Sequence, residues 1–169
     1  MGTLKKDYLL SGIKVIDAAS FIAGPSAATI MSDYGAEVIK IEPQNGDSLR
    51  NLITNGRMPE GPENYCWELT SRNKKSVSLN LKDQKAHNIL IDLIKEADVF
   101  ITNMPFPIRK KLKITSDDIR PHNAKLIYAS LTGYGEVGPD ADRTAYDSVA
   151  WWARSGLMDF VRPSNNSPV

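Results

Sequence analysis

The sequence predicts an α/β fold built on a parallel sheet, and three stretches carry that prediction. Residues 13–42, IKVIDAASFIAGPSAATIMSDYGAEVIKIE, read as strand, turn, helix and strand. Residues 83–101 read as an amphipathic helix running into an apolar strand, and residues 126–131 as one strand more. A helical crossover between two strands makes them parallel, with a right-handed connection.

In the first stretch, Val15, Ile16, Ala18 and Ala19 form a short apolar run between Gly12 and Gly24, the length and flanks of a buried strand. Pro25 suits the first position of a helix, where its missing N–H is no loss. Ala27, Ala28, Ile30, Met31 and Tyr34 follow at helical spacing, and Gly35 suits the residue that closes a helix. Val38, Ile39 and Ile41 make the second strand. Small residues at Ala23 and Gly24 would let an anion approach backbone N–H groups at the helix start. From Pro43 to Pro62, prolines, glycines and asparagines dissolve the pattern into a long surface loop, of a kind that often carries function. Tyr65, Trp67 and Leu69 alternate with polar residues as in a short strand. Arg72 to Lys75 form a basic turn, and Val77 and Leu79 suit a strand.

The clearest helix starts at a cap near Asp83. Ala86, Ile89, Leu90, Leu93, Ile94 and Ala97 recur at helical spacing, with Asp83, Lys85, Asp92 and Lys95 opposite. Val99, Phe100 and Ile101 form a strand ending at Asn103, and Pro105 and Pro107 enforce a turn. The basic run Arg109, Lys110, Lys111 and Lys113 is either a solvated face or a phosphate contact, since open parallel sheets bind ligands where their strands end. Thr115 and Asp118 have capping-box spacing, for a short helix cut off at Pro121. Thr144 and Asp147 repeat that spacing and predict a helix from Ala145 toward Ser155. Val149, Ala150, Trp151, Trp152 and Ala153 leave it no polar face, so it should be buried. Little of the 169 residues is left to cover it, which predicts a partner or further polypeptide. A polar loop, Ser164 to Val169, closes the sequence.

Composition narrows the function. Lys+Arg 21 against Asp+Glu 20 leaves net +1, so bulk attraction to nucleic acid or an anionic membrane is not indicated. The single cysteine, Cys66, excludes an internal disulfide and a multi-cysteine zinc site, and suits a reducing, cytoplasmic setting. Met1 to Leu10 is too charged for a signal peptide, and Lys6 occupies the hydroxyl position that myristoylation at Gly2 would need. No apolar run approaches the roughly 18 residues of a spanning helix.

Gly133, Gly135 and Gly138 spell G-x-G-x-x-G just after a strand, the letters of a dinucleotide fingerprint. Pro139 follows, however, and the predicted helix starts only near Ala145, so a loop over a substrate fits better than a nicotinamide site. His87 and His122 lack an orienting partner and read as solvent-exposed, and no metal site is predicted. Asp147 either caps its helix or acts as an acid in a site. Tyr134, Tyr146 and the Trp pair read as core rather than as a cofactor box.

The segments LSGIKVIDAASFIAGPSAATIMSDYGAEVIKIEPQNGD, SRNKKSVSLNLK, ADVFITN and LIYASLTGYGEVGPDADRTAYD resemble the family III CoA-transferases, continuously from about Leu10 to Met158. NYCWELTSRNKKSVSLNLK and WWARSG are most similar to the branch acting on aryl-lactates and 2-hydroxy acids. The resemblance implies a Rossmann-like parallel sheet with helices on both faces. Residues 1–169 would be the N-terminal part of a large domain, with its remainder and a smaller domain outside this chain. It further implies an interlocked homodimer, coenzyme A and its acyl thioesters as substrates, and no tightly bound cofactor.

The implied chemistry is covalent catalysis. An aspartate attacks acyl-CoA to give an acyl anhydride, and an aspartyl-CoA thioester then passes CoA between carboxylic acids. In the family that aspartate sits in a Gly-Asp motif, expected shortly beyond Val169. By position, Leu79, Lys82, Asn103, Met104 and Lys111 match CoA-contacting residues, with Ala23 at the helix start beside them. Gly133, Gly135 and Tyr146 belong to a substrate loop, and Asp147 matches an active-site glutamate in a supporting role. The chain departs from formyl-CoA transferase, one member of the family, where Met104 replaces a phenylalanine, Pro43 a CoA-binding arginine and Ile22 an active-site glutamine. Two alternatives come with the resemblance, an α-methylacyl-CoA racemase-like epimerase and a non-catalytic CoA-binding or dimerisation fragment. The racemase branch has a histidine where Tyr146 stands. A phenol does not shuttle protons near neutral pH as imidazole does, which favours the transferase.

Overall fold

A computed structural model describes residues 8–53, 55–56 and 58–161. The features read at Gly2 and Lys6 and in the closing loop from Ser164 lie outside the described residues. In chain order the elements are β1 (Lys14–Asp17), α1 (Ala23–Asp33), β2 (Glu37–Glu42), α2 (Tyr65–Ser71), β3 (Lys74–Ser78) and α3 (Gln84–Lys95). There follow β4 (Val99–Thr102), α4 (Phe106–Leu112), α5 (Ser116–Ile119), β5 (Ile127–Ser130), a π-helix (Ser148–Ala153) and α6 (Leu157–Phe160).

The five strands form one sheet in the order β3-β2-β1-β4-β5, every pair parallel. The order turns at β1, whose Ile16 stands between Ile39 of β2 and Phe100 of β4. Such a reversal opens a crevice at the carboxyl ends of the strands. Side chains alternate between the two faces. Val15, Val38 and Ile101 pack with Ala28 of α1, while Ile16, Ile41 and Phe100 pack with Leu90 and Ile94 of α3. Helices therefore cover both faces, and the sheet is buried between them.

Several local readings are corrected. α1 begins at Ala23, two residues before Pro25, and Pro25 is tolerated because no first-turn N–H has an intrahelical partner. Gly35 does close it, at φ +99°. Tyr65, Trp67 and Leu69 lie on a helix, not a strand, because the Asn64 side chain accepts from the Trp67 N–H and starts α2. On α3 the buried face holds Leu90, Ile91 and Ile94, while Ile89 is 48% exposed. Pro105 and Pro107 start α4 rather than merely turning the chain, as prolines can in a first turn. Arg109, Lys110 and Lys111 are thus helical, Lys113 caps the helix end at φ +54°, and Arg109 points inward, buried. The capping box of Thr115 and Asp118 forms as predicted. The second one does not: Asp147 makes no cap bond and Ala145 stays in the loop, packed against Gly133. The π-helix that follows is not buried, and Trp151 is 61% exposed.

Candidate functional site

The crevice is built around the turn joining β1 to α1. The Ser20 N–H donates to Asn103 Oδ1 (2.9 Å) and Asn103 Nδ2 donates back to the Ser20 carbonyl (2.8 Å). Phe21 follows at φ +67°, a conformation that side-chain-bearing residues rarely adopt. Its N–H donates to Asp47 Oδ1 at 3.3 Å. Two grooves flank this turn. The larger, about 580 Å³, runs over the ends of β2 and β3 and is lined by Glu42, Pro43, Leu79, Lys82, Met104 and Leu112. The smaller, about 390 Å³, is lined by Phe21, Ala23, Asn103, Phe106, Gly133 and Tyr146. Ser20 and Met104 belong to both.

The structure brings most of the expected site residues together. Leu79, Lys82 and Met104 line the larger groove, and Ala23, Asn103, Gly133 and Tyr146 the smaller. Lys111 lies on the exposed side of α4 and lines neither groove, although Leu112 beside it does. Asp147 is exposed, next to Tyr146 but outside both linings. Gly135 is an exposed loop residue at φ +85°. Gly24 is buried, and a Cβ there would lie 2.3 Å from Ala19 Cβ. Its smallness serves the packing of α1 against Ala19, just past the end of β1.

The glycine loop is fixed at its centre. Glu136 accepts from Ser130 Oγ (2.5 Å) and pairs with the buried guanidinium of Arg109 (2.6 Å). The Ser130 hydrogen bond, and then Arg109, hold the Glu136 carboxyl below its ordinary value. Arg109 also donates to the Tyr128 hydroxyl (3.2 Å), which ties α4 and β5 to the loop.

Sequence reasoning missed a charged cluster beneath the turn. Asp17, Lys40 and Glu42 share the parity of Val15 and Val38, so their side chains enter the same buried layer as α1. Lys74 Nζ donates to Asp17 Oδ2 (2.9 Å) and to the carbonyls of Pro25 (2.6 Å) and Thr70 (2.7 Å). Lys40 Nζ reaches Asp47 Oδ2 (3.0 Å) and the Ala19 carbonyl (2.9 Å). Arg50 grips Glu42 with two hydrogen bonds of 2.7 Å and lies 3.5 Å from the centre of the Trp67 ring. The signal was present: a strand reading VIKIE and buried on both faces must pair its charges. Gly46 and Asp47 form the one Gly-Asp pair of the chain, but the Asp47 carboxylate is buried and bound to Lys40, Phe21 and Leu49, so it is no free nucleophile.

Burial alone would push the Glu42 carboxyl up. The hydrogen bonds from Arg50, Ser76 and the Asp47 N–H outweigh it and hold the group down to about 2, from an ordinary 4.5. A depressed carboxyl stabilises the fold above its unfolded value and loses that contribution as pH falls through the folded one. Stability is therefore expected to decline between about pH 4.5 and 2, and Glu42→Gln to flatten that decline, as read by urea unfolding at a series of pH values. An unchanged acid limb in the variant would contradict this.

Among the described residues no cluster of His, Cys, Asp and Glu could hold a metal ion, and no helix is long and apolar enough to cross a membrane. The family model described as CoA-transferase family III matches residues 10–169. The (R)-2-hydroxy-4-methylpentanoate CoA-transferase of Clostridioides difficile is 41% identical over 161 residues, covering 95% of this chain and 40% of that protein. The cinnamoyl-CoA:phenyllactate CoA-transferase of Clostridium sporogenes is 41% identical over 161 residues, covering 95% and 39%. The human succinyl-CoA:glutarate CoA-transferase is 41% identical over 167 residues, covering 95% and 36%. Among solved structures, a CAIB/BAIF family protein from Brucella suis superposes with a TM-score of 0.81 at 29% identity, covering 97% of this chain and 43% of that one. The orthorhombic form of Rv3272 from Mycobacterium tuberculosis gives 0.84 at 32%, covering 96% and 44%. The chain thus spans about two fifths of the length of the curated relatives it matches.

Proposed function

Because the chain belongs to CoA-transferase family III, we propose that it supplies the CoA-binding part of an enzyme that moves CoA between carboxylic acids, with 2-hydroxy or aryl acids as substrates. One observation carries the reading: two grooves of different character meet at Ser20 and Met104, where parallel strands end. The larger offers apolar walls at Leu79, Met104 and Leu112 and a cation at Lys82, the needs of a pantetheine arm and its phosphates. The smaller is walled by Phe21, Phe106 and Tyr146 and suits an apolar acyl group, with the thioester at the junction. Arg143 also lines it but pairs with Asp140 at 3.1 Å, which favours a monocarboxylic over a dicarboxylic acyl group. Sequence identity alone does not choose, since the relative named for glutarate is as similar as those named for 2-hydroxy-4-methylpentanoate and phenyllactate.

In this mechanism an aspartate carboxylate attacks the thioester carbonyl. The C–S bond breaks, CoA leaves as thiolate, and an acyl aspartyl anhydride remains. The thiolate attacks the aspartyl carbonyl, freeing the donor acid and forming the aspartyl-CoA thioester, and the acceptor acid reverses both steps. The nucleophile is assigned to a Gly-Asp motif of further polypeptide, and Asp147, beside Tyr146, to a supporting role. The glycine loop, fixed through Glu136, shields the anhydride from water. An interlocked homodimer in the cytoplasm completes the proposal.

The test is to incubate the full-length enzyme with an aryl-acyl-CoA and a free 2-hydroxy acid and to follow the new CoA ester by mass spectrometry. Its formation supports the transferase. Exchange of the α-proton without an acceptor acid supports an epimerase instead, and CoA binding with neither reaction a non-catalytic module. Lys82→Ala and Lys111→Ala are each expected to weaken CoA binding by about 1 kcal/mol or more, as for a lost charge-assisted contact. Titration calorimetry checks this, and a lysine whose loss leaves affinity unchanged is no part of the site.

A further inference from the structure

We propose that Asp47 is a positioning residue for the thioester site: with Asn103 it clamps the Ser20–Phe21 turn and holds Phe21 in its left-handed conformation. The inference rests on the CoA reading above. Phe21 pays steric strain at φ +67°, and such strain persists only where surrounding contacts over-determine it. Here the turn is held from two sides. Asn103, from the loop after β4, makes two hydrogen bonds with the Ser20 backbone. Asp47, from the loop after β2, accepts from the Phe21 N–H.

Asp47 is itself rigid. Its Oδ2 faces Lys40 at 3.0 Å, its Oδ1 also accepts from the Leu49 N–H at 2.9 Å, and its own N–H donates to Glu42 at 2.9 Å. Lys40 in turn holds the Ala19 carbonyl, just before the turn. Loops after three neighbouring strands thus meet on two residues. Those residues border both grooves: Ser20 lines each, and the Phe21 ring walls the smaller one, 6.5 Å edge-on from the Tyr146 ring. The turn decides where the two grooves join. Asp47 also lines the larger groove, but it is 3% exposed and both carboxylate oxygens are engaged, so it acts on the ligand through the turn.

The test compares Asp47→Asn, which keeps an oxygen acceptor for the Phe21 N–H, with Asp47→Ala, which does not. A third variant combines Asp47→Ala with Phe21→Gly, since glycine adopts positive φ without help. The readouts are hydrogen exchange at the Phe21 amide and CoA affinity by calorimetry. Asp47→Ala is expected to weaken CoA binding about tenfold and to expose the amide, Asp47→Asn to retain protection with a loss of about threefold at most, and the loss from Asp47→Ala to shrink to about twofold when measured against Phe21→Gly alone. A fall in melting temperature with amide protection and CoA affinity intact would reduce Asp47 to a structural role, and so would equal losses in the asparagine and alanine variants. If Asp47→Ala does not fold, Asp47→Asn decides: protection retained at Phe21 supports the clamp and protection lost overturns it. Wild-type protein that ignores CoA would defeat the proposed function, while exchange at Phe21 would still judge the clamp.

Discussion

Asp17→Ala is expected to lower the unfolding free energy by about 3–5 kcal/mol, the range for breaking a buried ion pair from one side. The Asp17 side chain is fully buried and that of Lys74 is 2% exposed. Burial already pulls the Lys74 ammonium below its ordinary value, against the attraction of Asp17. Without the carboxylate, Lys74 keeps the carbonyls of Pro25 and Thr70 but has no counter-charge in contact, and Lys40 loses an acid at 3.8 Å. The freed Ala19 N–H, which donates to Asp17 Oδ1, adds to the loss. For a domain whose whole stability is of order 5–15 kcal/mol, this variant should unfold at a far lower urea concentration. Asp17→Asn, which keeps acceptors but not charge, should fall between. A midpoint for Asp17→Ala close to that of the wild type would mean that the cluster does not hold the turn.

Gly133→Val is expected to close the smaller groove while sparing the larger. A Cβ at residue 133 would lie 2.0 Å from Ala145 Cβ, so the loop or residue 145 must shift. Overpacking of this kind costs about 1–3 kcal/mol. The functional loss should be greater, because Gly133, Ala145 and Tyr146 form one wall of that groove. Affinity for an aryl-acyl-CoA is expected to fall about tenfold or more, with free CoA held within about twofold, as measured by calorimetry. Equal losses for both ligands would place Gly133 outside the acyl wall. Gly135→Val differs in kind: nothing lies within 4 Å of its Cβ position, and φ +85° alone penalises the side chain.

Most of the sheet was legible because its strands are short apolar runs set between periodic helices; β3, KKSVS, is the exception, and its Lys74 and Lys75 read as a turn. α3 and the capping box of α5 were read from Asp83, Thr115 and Asp118 because capping is a local matter. One error is a missed local cap, and the others have tertiary causes. Tyr65, Trp67 and Leu69 fit a strand by alternation, but the same residues span a helical turn, and Asn64 decides between the two. The helix expected from Ala145 fails because Gly133, a neighbour only in space, holds Ala145 in a loop. The basic run looked uniform in sequence, and only the fold separates the inward Arg109 from the outward Lys111. For the site, the resemblance placed residues along the two grooves. It did not reveal that both the oxygen and the nitrogen of the Asn103 side-chain amide are engaged by Ser20, or that Asp47 stands behind Phe21.

The link between Ser20 and Asn103 joins residues 83 positions apart, whereas β1 meets β2 after a single short crossover. Closing a longer chain segment costs more entropy and comes later in folding. The contacts of the β1-α1-β2 unit can therefore begin to form while β4 is still unplaced, and those of the pocket junction cannot. On a ribosome, a nascent chain that stops short of Asn103 would hold its central turn from one side alone, so the ligand must wait for the loop after β4 to arrive.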